Sequence, residues 1–330
     1  MKQVISQTLL ALAAAGSATG AGAQAASNEP AYPVKPIRFV VPYPPGGTPD
    51  IQGRWLAEKL RERLGQPIVV DNRPGANSIL GSDIVAKSPP DGYTMLTVIA
   101  GYAANVTLYA GKLPFDPLKG LVPVSLAGIA PLILTVNNSF PAKDVKELIA
   151  YAKANPGKVN FGSSGIGAAA HLTTELLKQT AGIDMVHIPF KGTAPALQAE
   201  MANDIQVLVD VPSTLMPHVR GGKIKALAMF SGNRVQGAAE VPTMAEAGGP
   251  PLESSTWVLF MAPGGTPREI INRLSIETQK AINQSDIKDR FNQIGIVPVG
   301  NTPEQAAQFL SGEVAKWARV INSAGVKAEQ

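Results

Sequence analysis

Apolar positions along the chain alternate between strand-like runs and helical spacing, and the changeovers mark the predicted elements. The β-prone run Pro36-Ile37-Arg38-Phe39-Val40-Val41-Pro42 is broken by Tyr43-Pro44-Pro45-Gly46-Gly47. Ile51, Trp55, Leu56, Leu60 and Leu64 then recur at helical spacing, which makes them the buried stripe of a helix that Gly65 ends. Thr48 is expected at its N-cap and Pro49 at the first helical position, where a missing amide hydrogen does little harm. A strand at 68–70, the turn Asn72-Arg73-Pro74-Gly75, a helix near 78–86 and a strand over 93–99 follow. This order of strand, loop and helix is that of an α/β chain with a mainly parallel sheet.

A second unit is expected after the apolar segment 132–136. Asp144 and Glu147 have the spacing of a capping pair, ahead of a helix that Asn155-Pro156-Gly157 terminates. A strand at 159–161 feeds the loop Gly162-Ser163-Ser164-Gly165-Ile166-Gly167 and a helix containing Leu172, Leu176 and Leu177. A strand at 185–188, the loop Pro189-Phe190-Lys191-Gly192-Thr193 and a helix at 196–201 come next. The strand 205–209 then ends at Asp210. Residues 225–230 and 257–261 are strand-like, and helices are expected over 267–283, 285–293 and 303–324.

The first residues have another character. Lys2, the apolar stretch 9–15 and Ala23-Gln24-Ala25 match a secretory signal cleaved after residue 25. No later apolar run reaches the ~18–20 residues needed to span a bilayer, so export without anchoring is expected. At 330 residues the chain has the length of about two domains. Its 45% hydrophobic and 16% charged residues exclude wholesale disorder, while 32 glycines and 28 prolines favour a loop-rich fold. The 29 basic and 25 acidic side chains leave +4 without a charge tract, so nucleic acid is not an expected partner. The absence of cysteine excludes disulfides, thiolate catalysis, cysteine-held metals and lipid attachment through cysteine.

Two glycine-rich turns between a strand and a helix carry the candidate chemistry: Pro45-Gly46-Gly47-Thr48-Pro49-Asp50 and Ser163-Ser164-Gly165-Ile166-Gly167. Glycine permits close backbone approach, and the first amides of a helix can receive an anion. Either turn alone is also an ordinary tight connection. Gly165-Ile166-Gly167-Ala168-Ala169-Ala170 fits a loose dinucleotide pattern, but Asp184 stands at the start of the next strand instead of its end, and no Walker pattern is present. His171, His187 and His218 form no paired metal motif, and Gly162-Ser163-Ser164-Gly165 is one residue short of a nucleophile elbow. No catalytic residue, metal or cofactor is expected. Lys191 is a candidate carboxylate attractant, Asp50 and Asp210 candidate orienters, and Tyr43 and Tyr102 candidate cleft-lining rings.

An ordered set of motifs then gives a resemblance over essentially the whole chain after the signal. It comprises Val41-Pro42-Tyr43-Pro44-Pro45-Gly46-Gly47-Thr48-Pro49-Asp50, Asp71-Asn72-Arg73-Pro74-Gly75-Ala76 and Pro90-Asp91-Gly92-Tyr93-Thr94. Asn155-Pro156-Gly157-Lys158, Ser163-Ser164-Gly165-Ile166-Gly167, Phe190-Lys191-Gly192-Thr193 and Val241-Pro242-Thr243 continue it. In this order they resemble the Bug family, periplasmic solute receptors associated with tripartite tricarboxylate transporters. The chain departs from the family pattern at Ala202-Asn203-Asp204-Ile205-Gln206, where many members carry paired glycines.

The resemblance implies a type II periplasmic binding protein, with two mixed-sheet α/β lobes around an interlobe cleft. Residues 32–132 plus 252–330 would form one lobe and 133–251 the other. It implies an extracytoplasmic receptor, located in the periplasm, that takes a small organic mono- or dicarboxylate to the membrane components of a transporter. The competing reading is a ligand-binding sensor that touches a signalling protein. The carboxylate-binding position maps to Gly46, Gly47, Thr48 and Asp50 in the first loop and Ser163, Ser164, Gly165 and Gly167 in the second. Ser163 and Ser164 are the preferred side-chain donors. Phe190, Lys191, Gly192 and Thr193 are placed on the distal side, with Tyr43 and Tyr102 against the ligand body and Asp210 kept among the ligand-binding residues as an orienter. Ile166 and Ala168 add little polarity, which leaves room for an apolar or aromatic distal half.

Overall fold

The computed structural model describes residues 32–328, and the expected signal segment 1–25 lies outside them. The first half of the chain runs β1 (Ile37–Val41), α1 (Thr48–Leu64), β2 (Ile68–Asn72), α2 (Ile79–Ala86), β3 (Thr94–Val98), α3 (Gly101–Leu108) and β4 (Leu121–Pro131). It continues with β5 (Ile133–Asn137), α4 (Val145–Ala154), β6 (Asn160–Ser163), α5 (Ala169–Ala181), β7 (Val186–Pro189), α6 (Thr193–Ala202), β8 (Val207–Asp210), α7 (Pro212–Arg220) and β9 (Ile224–Met229). The last elements are β10 (Ser255–Pro263), α8 (Arg268–Ile282), α9 (Ser285–Gln293), β11 (Val297–Pro298) and α10 (Pro303–Ala324). Four of them, α3, β4, α7 and β11, are absent from the pattern reading. They are short or nearly continuously apolar, and periodicity does not separate such segments from loop or core.

Two mixed sheets result. The first has the order β11-β4-β10-β3-β1-β2, with β1 parallel to β2 and β3 and with β10 antiparallel to β3 and β4. The second has the order β7-β6-β8-β5-β9, with β6 parallel to β7 and β8 and with β5 antiparallel to β8 and β9. Consecutive β4 and β5 fall in different sheets. Between them Leu132 N–H donates to Ser254 C=O, Phe230 N–H to Leu132 C=O, and Ser254 N–H to Phe230 C=O. The outgoing and returning backbones are therefore bonded to one another where the chain passes between sheets.

Local chemistry sets the helix ends. Asp144 caps α4 by accepting from Glu147 N–H, and Thr302 with Gln305 forms a capping box on α10. Thr48 is not the cap of α1. That place belongs to Gly47, because the Asp50 carboxylate accepts Gly46 N–H at 2.9 Å and closes the preceding turn itself. Ile51 also leaves the expected stripe. It is one of the exposed large apolar residues, while Leu56, Leu60 and Leu64 join the core with Phe39 and Phe260. Trp55 is partly buried, 6.2 Å from Phe291 with Arg290 over its ring.

Candidate functional site

Parallel register aligns the strand ends that matter. In the first sheet Val41 pairs with Asn72 and Val40 with Leu96, so β1, β2 and β3 end on one side and deliver the segments 42–47, 73–78 and 99–100 there. In the second, Ser163 pairs with Pro189 and Gly162 with Leu208, so β6, β7 and β8 deliver 164–168, 190–192 and Val211. Crevices beyond the carboxyl ends of parallel strands are where open α/β sheets take ligands. The two sets approach one another. Thr48 Oγ1 lies 3.5 Å from Ser213 Oγ at the start of α7, and a Cβ on Gly167 would meet Leu108 of α3 at 2.4 Å and Asn77 Nδ2 at 3.8 Å.

The first loop is tied by Asp50. Besides Gly46 N–H, its carboxylate accepts Arg54 Nε at 3.0 Å and Asn72 Nδ2 at 2.9 Å, and Asn72 Nδ2 also reaches Tyr43 C=O. Burial would raise the Asp50 pKa, but the bonds from Arg54, Gly46 and Asn72 outweigh it and hold the carboxyl below its ordinary value. The Tyr43 hydroxyl accepts Ile99 N–H at 3.2 Å and thereby joins the ends of β1 and β3, while burial pushes its pKa up to about 12. Thr48 N–H has no acceptor among the described residues.

The second loop is tied from below. Ser163 is fully buried; its Oγ accepts Gly165 N–H, contacts Gly165 C=O at 3.1 Å and lies 2.7 Å from His187 Nε2. Gly167 N–H donates to His171 Nδ1 at 3.2 Å. Gly165 and Gly167, at φ +137° and +79°, occupy backbone conformations that a side chain would resist. After these bonds, the amides of Ser164 and Ile166 and of Ala169, Ala170 and His171 in the first turn of α5 have no acceptor among the described residues. Ser164 is half-exposed, and its hydroxyl has no partner among the described residues either.

The chain matches the tripartite tricarboxylate transporter family receptor model over residues 53–326. It is 38% identical to protein BugT of Bordetella pertussis, covering 93% of this chain and 94% of that one. It belongs to that receptor family. Solved structures agree: the periplasmic binding protein BugD is 33% identical with TM-score 0.79, covering 90% of this chain and all of that one. An R. palustris protein with adipate is 32% identical with TM-score 0.82, covering 90% and 99%. MatC from Rhodopseudomonas palustris with bound malate is 32% identical with TM-score 0.77, covering 88% and 100%. The fold is the bilobed α/β architecture of type II periplasmic binding proteins, and the protein is a periplasmic solute-binding receptor, not an enzyme.

Within the receptor the expected site residues separate into groups. Gly46, Gly47, Thr48, Ser164, Gly165 and Gly167 lie on the facing loops. Asp50 lies where an orienter was expected, buried and accepting Gly46 N–H, Arg54 and Asn72 within its own loop. Ser163 is a correction: it is buried with its hydroxyl committed inside its own loop, so it shapes that loop instead of donating outward. Tyr102 is a second correction. It belongs to α3, is 2% exposed, stacks on Phe115 and donates its hydroxyl to Pro117 C=O, inside the apolar cluster that holds Leu96 and Trp257. Asp210 accepts Thr193 Oγ1 at 2.6 Å and Val211 N–H at 2.7 Å; its burial raises the carboxyl pKa against those two bonds. Phe190 packs partly against the second lobe's core, Gly192 N–H bonds Ser164 C=O, and Lys191 is exposed.

Sequence reasoning missed Asn77, Ser78, Ser213 and the two buried histidines. Ala76, Asn77 and Ser78 are consecutive non-glycine residues at φ +45°, +48° and +76°, and such strain is concentrated at functional segments. Asn77 Nδ2 donates to Asn105 Oδ1 and Asn105 Nδ2 returns to Asn77 C=O, which fixes the segment against α3. The Asn72-Arg73-Pro74-Gly75 turn was the available signal, since it ends a parallel strand. A groove of about 580 Å³ lies elsewhere, between β4 and α10, and none of the facing loops lines it.

Proposed function

We propose that the receptor takes a small organic mono- or dicarboxylate between the loop 43–48 and the segment 164–171, for delivery to transporter membrane components. The observation that carries this reading is the set of unengaged amides at the start of α5, beside the loop that faces Asn77. Several N–H groups on one helix end offset the desolvation of a carboxylate without a buried cation. Adipate and malate in two receptors of the same fold are consistent with it. Ser164 supplies a neutral hydroxyl donor, and Asn77 and Ser213 are polar groups for the distal end of the ligand. Exposed Lys191 adds long-range attraction at most, since a solvated charge is screened within about 8–10 Å at physiological salt.

We also assign residues 32–132 plus 252–330 and 133–251 to the two lobes, moving about the bonded crossings at Leu132, Phe230 and Ser254. A ligand that touches both loops favours the closed arrangement by its differential affinity for it. The sensor alternative draws no support from the family or its similarities. Calorimetry with adipate, malate and a monocarboxylate tests the substrate class, and mass spectrometry of molecules released on denaturation identifies what the purified protein carries. Lack of binding across a broad carboxylate panel would overturn the proposed class.

A further inference from the structure

Below the second loop lies a ring stack that the binding reading does not use. His171 of α5 and His187 of β7 face one another at 3.8 Å between centroids and 10° between planes, with Phe161 of β6 stacked on His187 at 4.8 Å. Each imidazole holds a different point of the loop: His187 Nε2 meets Ser163 Oγ at 2.7 Å, and His171 Nδ1 meets Gly167 N–H at 3.2 Å.

Hydrogen-bond capacity fixes the His171 proton. Gly167 offers an amide donor, so His171 Nδ1 must be an unprotonated acceptor and its proton sits on Nε2, which faces Glu175 Oε1 at 3.9 Å. Ser163 Oγ accepts Gly165 N–H and has one proton for two neighbours, Gly165 C=O at 3.1 Å and His187 Nε2 at 2.7 Å, so His187 Nε2 either donates to the hydroxyl or accepts from it. His171 is thus a neutral Nε2–H tautomer, and His187 is tied to the Ser163 hydroxyl in either tautomer. The charged groups near them are Glu175 and Lys178, which pair at 2.9 Å, with Lys178 Nζ over the Phe161 ring. Burial, together with the positive charge of Lys178, pushes the pKa values down to about 3 for His171 and about 4 for His187.

We propose that His171 and His187 are positioning residues for the ligand: the stacked pair, one ring bonded to Gly167 and the other to Ser163, holds residues 163–167 so that the neighbouring free amides converge on a carboxylate. This rests on the binding reading above. A loop with left-handed glycines at 165 and 167 has few side chains of its own with which to hold that shape. The two rings supply the missing constraints from outside it, and their stacking fixes the spacing between the two points they hold.

The test pairs removal with rescue, using adipate and malate as probes. His171→Leu and His187→Leu should fold, weaken binding by about five- to tenfold and speed amide exchange at Gly165 and Gly167. His171→Asn replaces the acceptor near Nδ1 and His187→Gln puts an amide, donor and acceptor both, near Nε2, and these variants should bind within about threefold of the natural protein. Leucine variants that bind unchanged, or Asn and Gln variants that lose as much as the leucine ones, would overturn the proposal. Should the leucine variants not fold, imidazole ¹⁵N shifts of the natural protein decide, because an Nδ1–H tautomer on His171 contradicts it. If the natural protein binds no member of the broad carboxylate panel, the carboxylate reading fails by itself, and amide exchange at the two glycines still reads the positioning role.

Discussion

Ser163 and Ser164 are adjacent yet do opposite work, and the difference lies in where each hydroxyl points. Ser163 is spent within the loop, whereas Ser164 is half-exposed beside unengaged amides. Ser164→Ala should weaken carboxylate binding by about 0.5–1.5 kcal/mol with little change in stability, the worth of one neutral hydrogen bond. Ser164→Asp should weaken it further, because a second negative charge then faces the ligand. Calorimetry on both variants, with folding checked by circular dichroism, measures the two steps. Ser163→Ala should show the reverse balance: it removes the atom between Gly165 and His187 and lowers the melting temperature as well as the affinity. A Ser164→Asp variant with undiminished affinity would remove this residue from the contact set.

Among the elements, the segment between β2 and α2 is the least relaxed. Ala76 is exposed at φ +45°, and a left-handed conformation costs a residue with a Cβ about 1–2 kcal/mol. Ala76→Gly should therefore raise stability by up to about 1 kcal/mol, less the extra freedom glycine brings to the unfolded chain. Chemical denaturation reads that sign, and a destabilised Ala76→Gly variant would contradict the strain. The same segment shows what a linear pattern reveals. The parallel strands are legible as short β-prone runs closed by turn residues, and the three C-terminal helices as apolar periods with their own stop signals; 285–293 and 303–324 coincide with α9 and α10. Both glycine-rich loops were legible as turns. Their internal bonding was not, since Asp50 and Asn72, or Ser163 and His187, are brought together only by β pairing and carry no sequence spacing of their own. Tyr102 was misplaced for a related reason: α3 is one short helix whose aromatic faces Phe115, and nothing local distinguishes that from a loop facing a cleft.

Across the whole molecule, two buried sites set opposing responses to pH. His171 and His187 are held neutral, with pKa values of about 3 and 4 against an ordinary 6.5. As pH falls below 6.5 the unfolded chain takes up these protons first, so stability is lost down to the folded values. Glu200 on α6 acts in the other direction. It has no exposed surface, neither carboxylate oxygen has a hydrogen-bond partner among the described residues, and burial pushes its pKa up to about 8 against an opposing contribution from Thr135. Between its ordinary 4.5 and 8 the unfolded chain releases this proton first, so stability falls as pH rises and levels off above 8. Each group changes the slope by at most about 1.4 kcal/mol per pH unit. The histidine and Glu200 slopes balance near the ordinary histidine pKa, so urea denaturation from pH 4 to 9 should show greatest stability at about pH 6–7. Glu200→Gln keeps the shape and removes the titration, so it should flatten the alkaline side while leaving the acid side in place. His187→Gln should flatten part of the acid side and leave the alkaline side in place. A Glu200→Gln profile parallel to that of the natural protein above pH 6.5 would show that Glu200 ionises normally in the fold, and would remove the buried acid as the source of the alkaline loss.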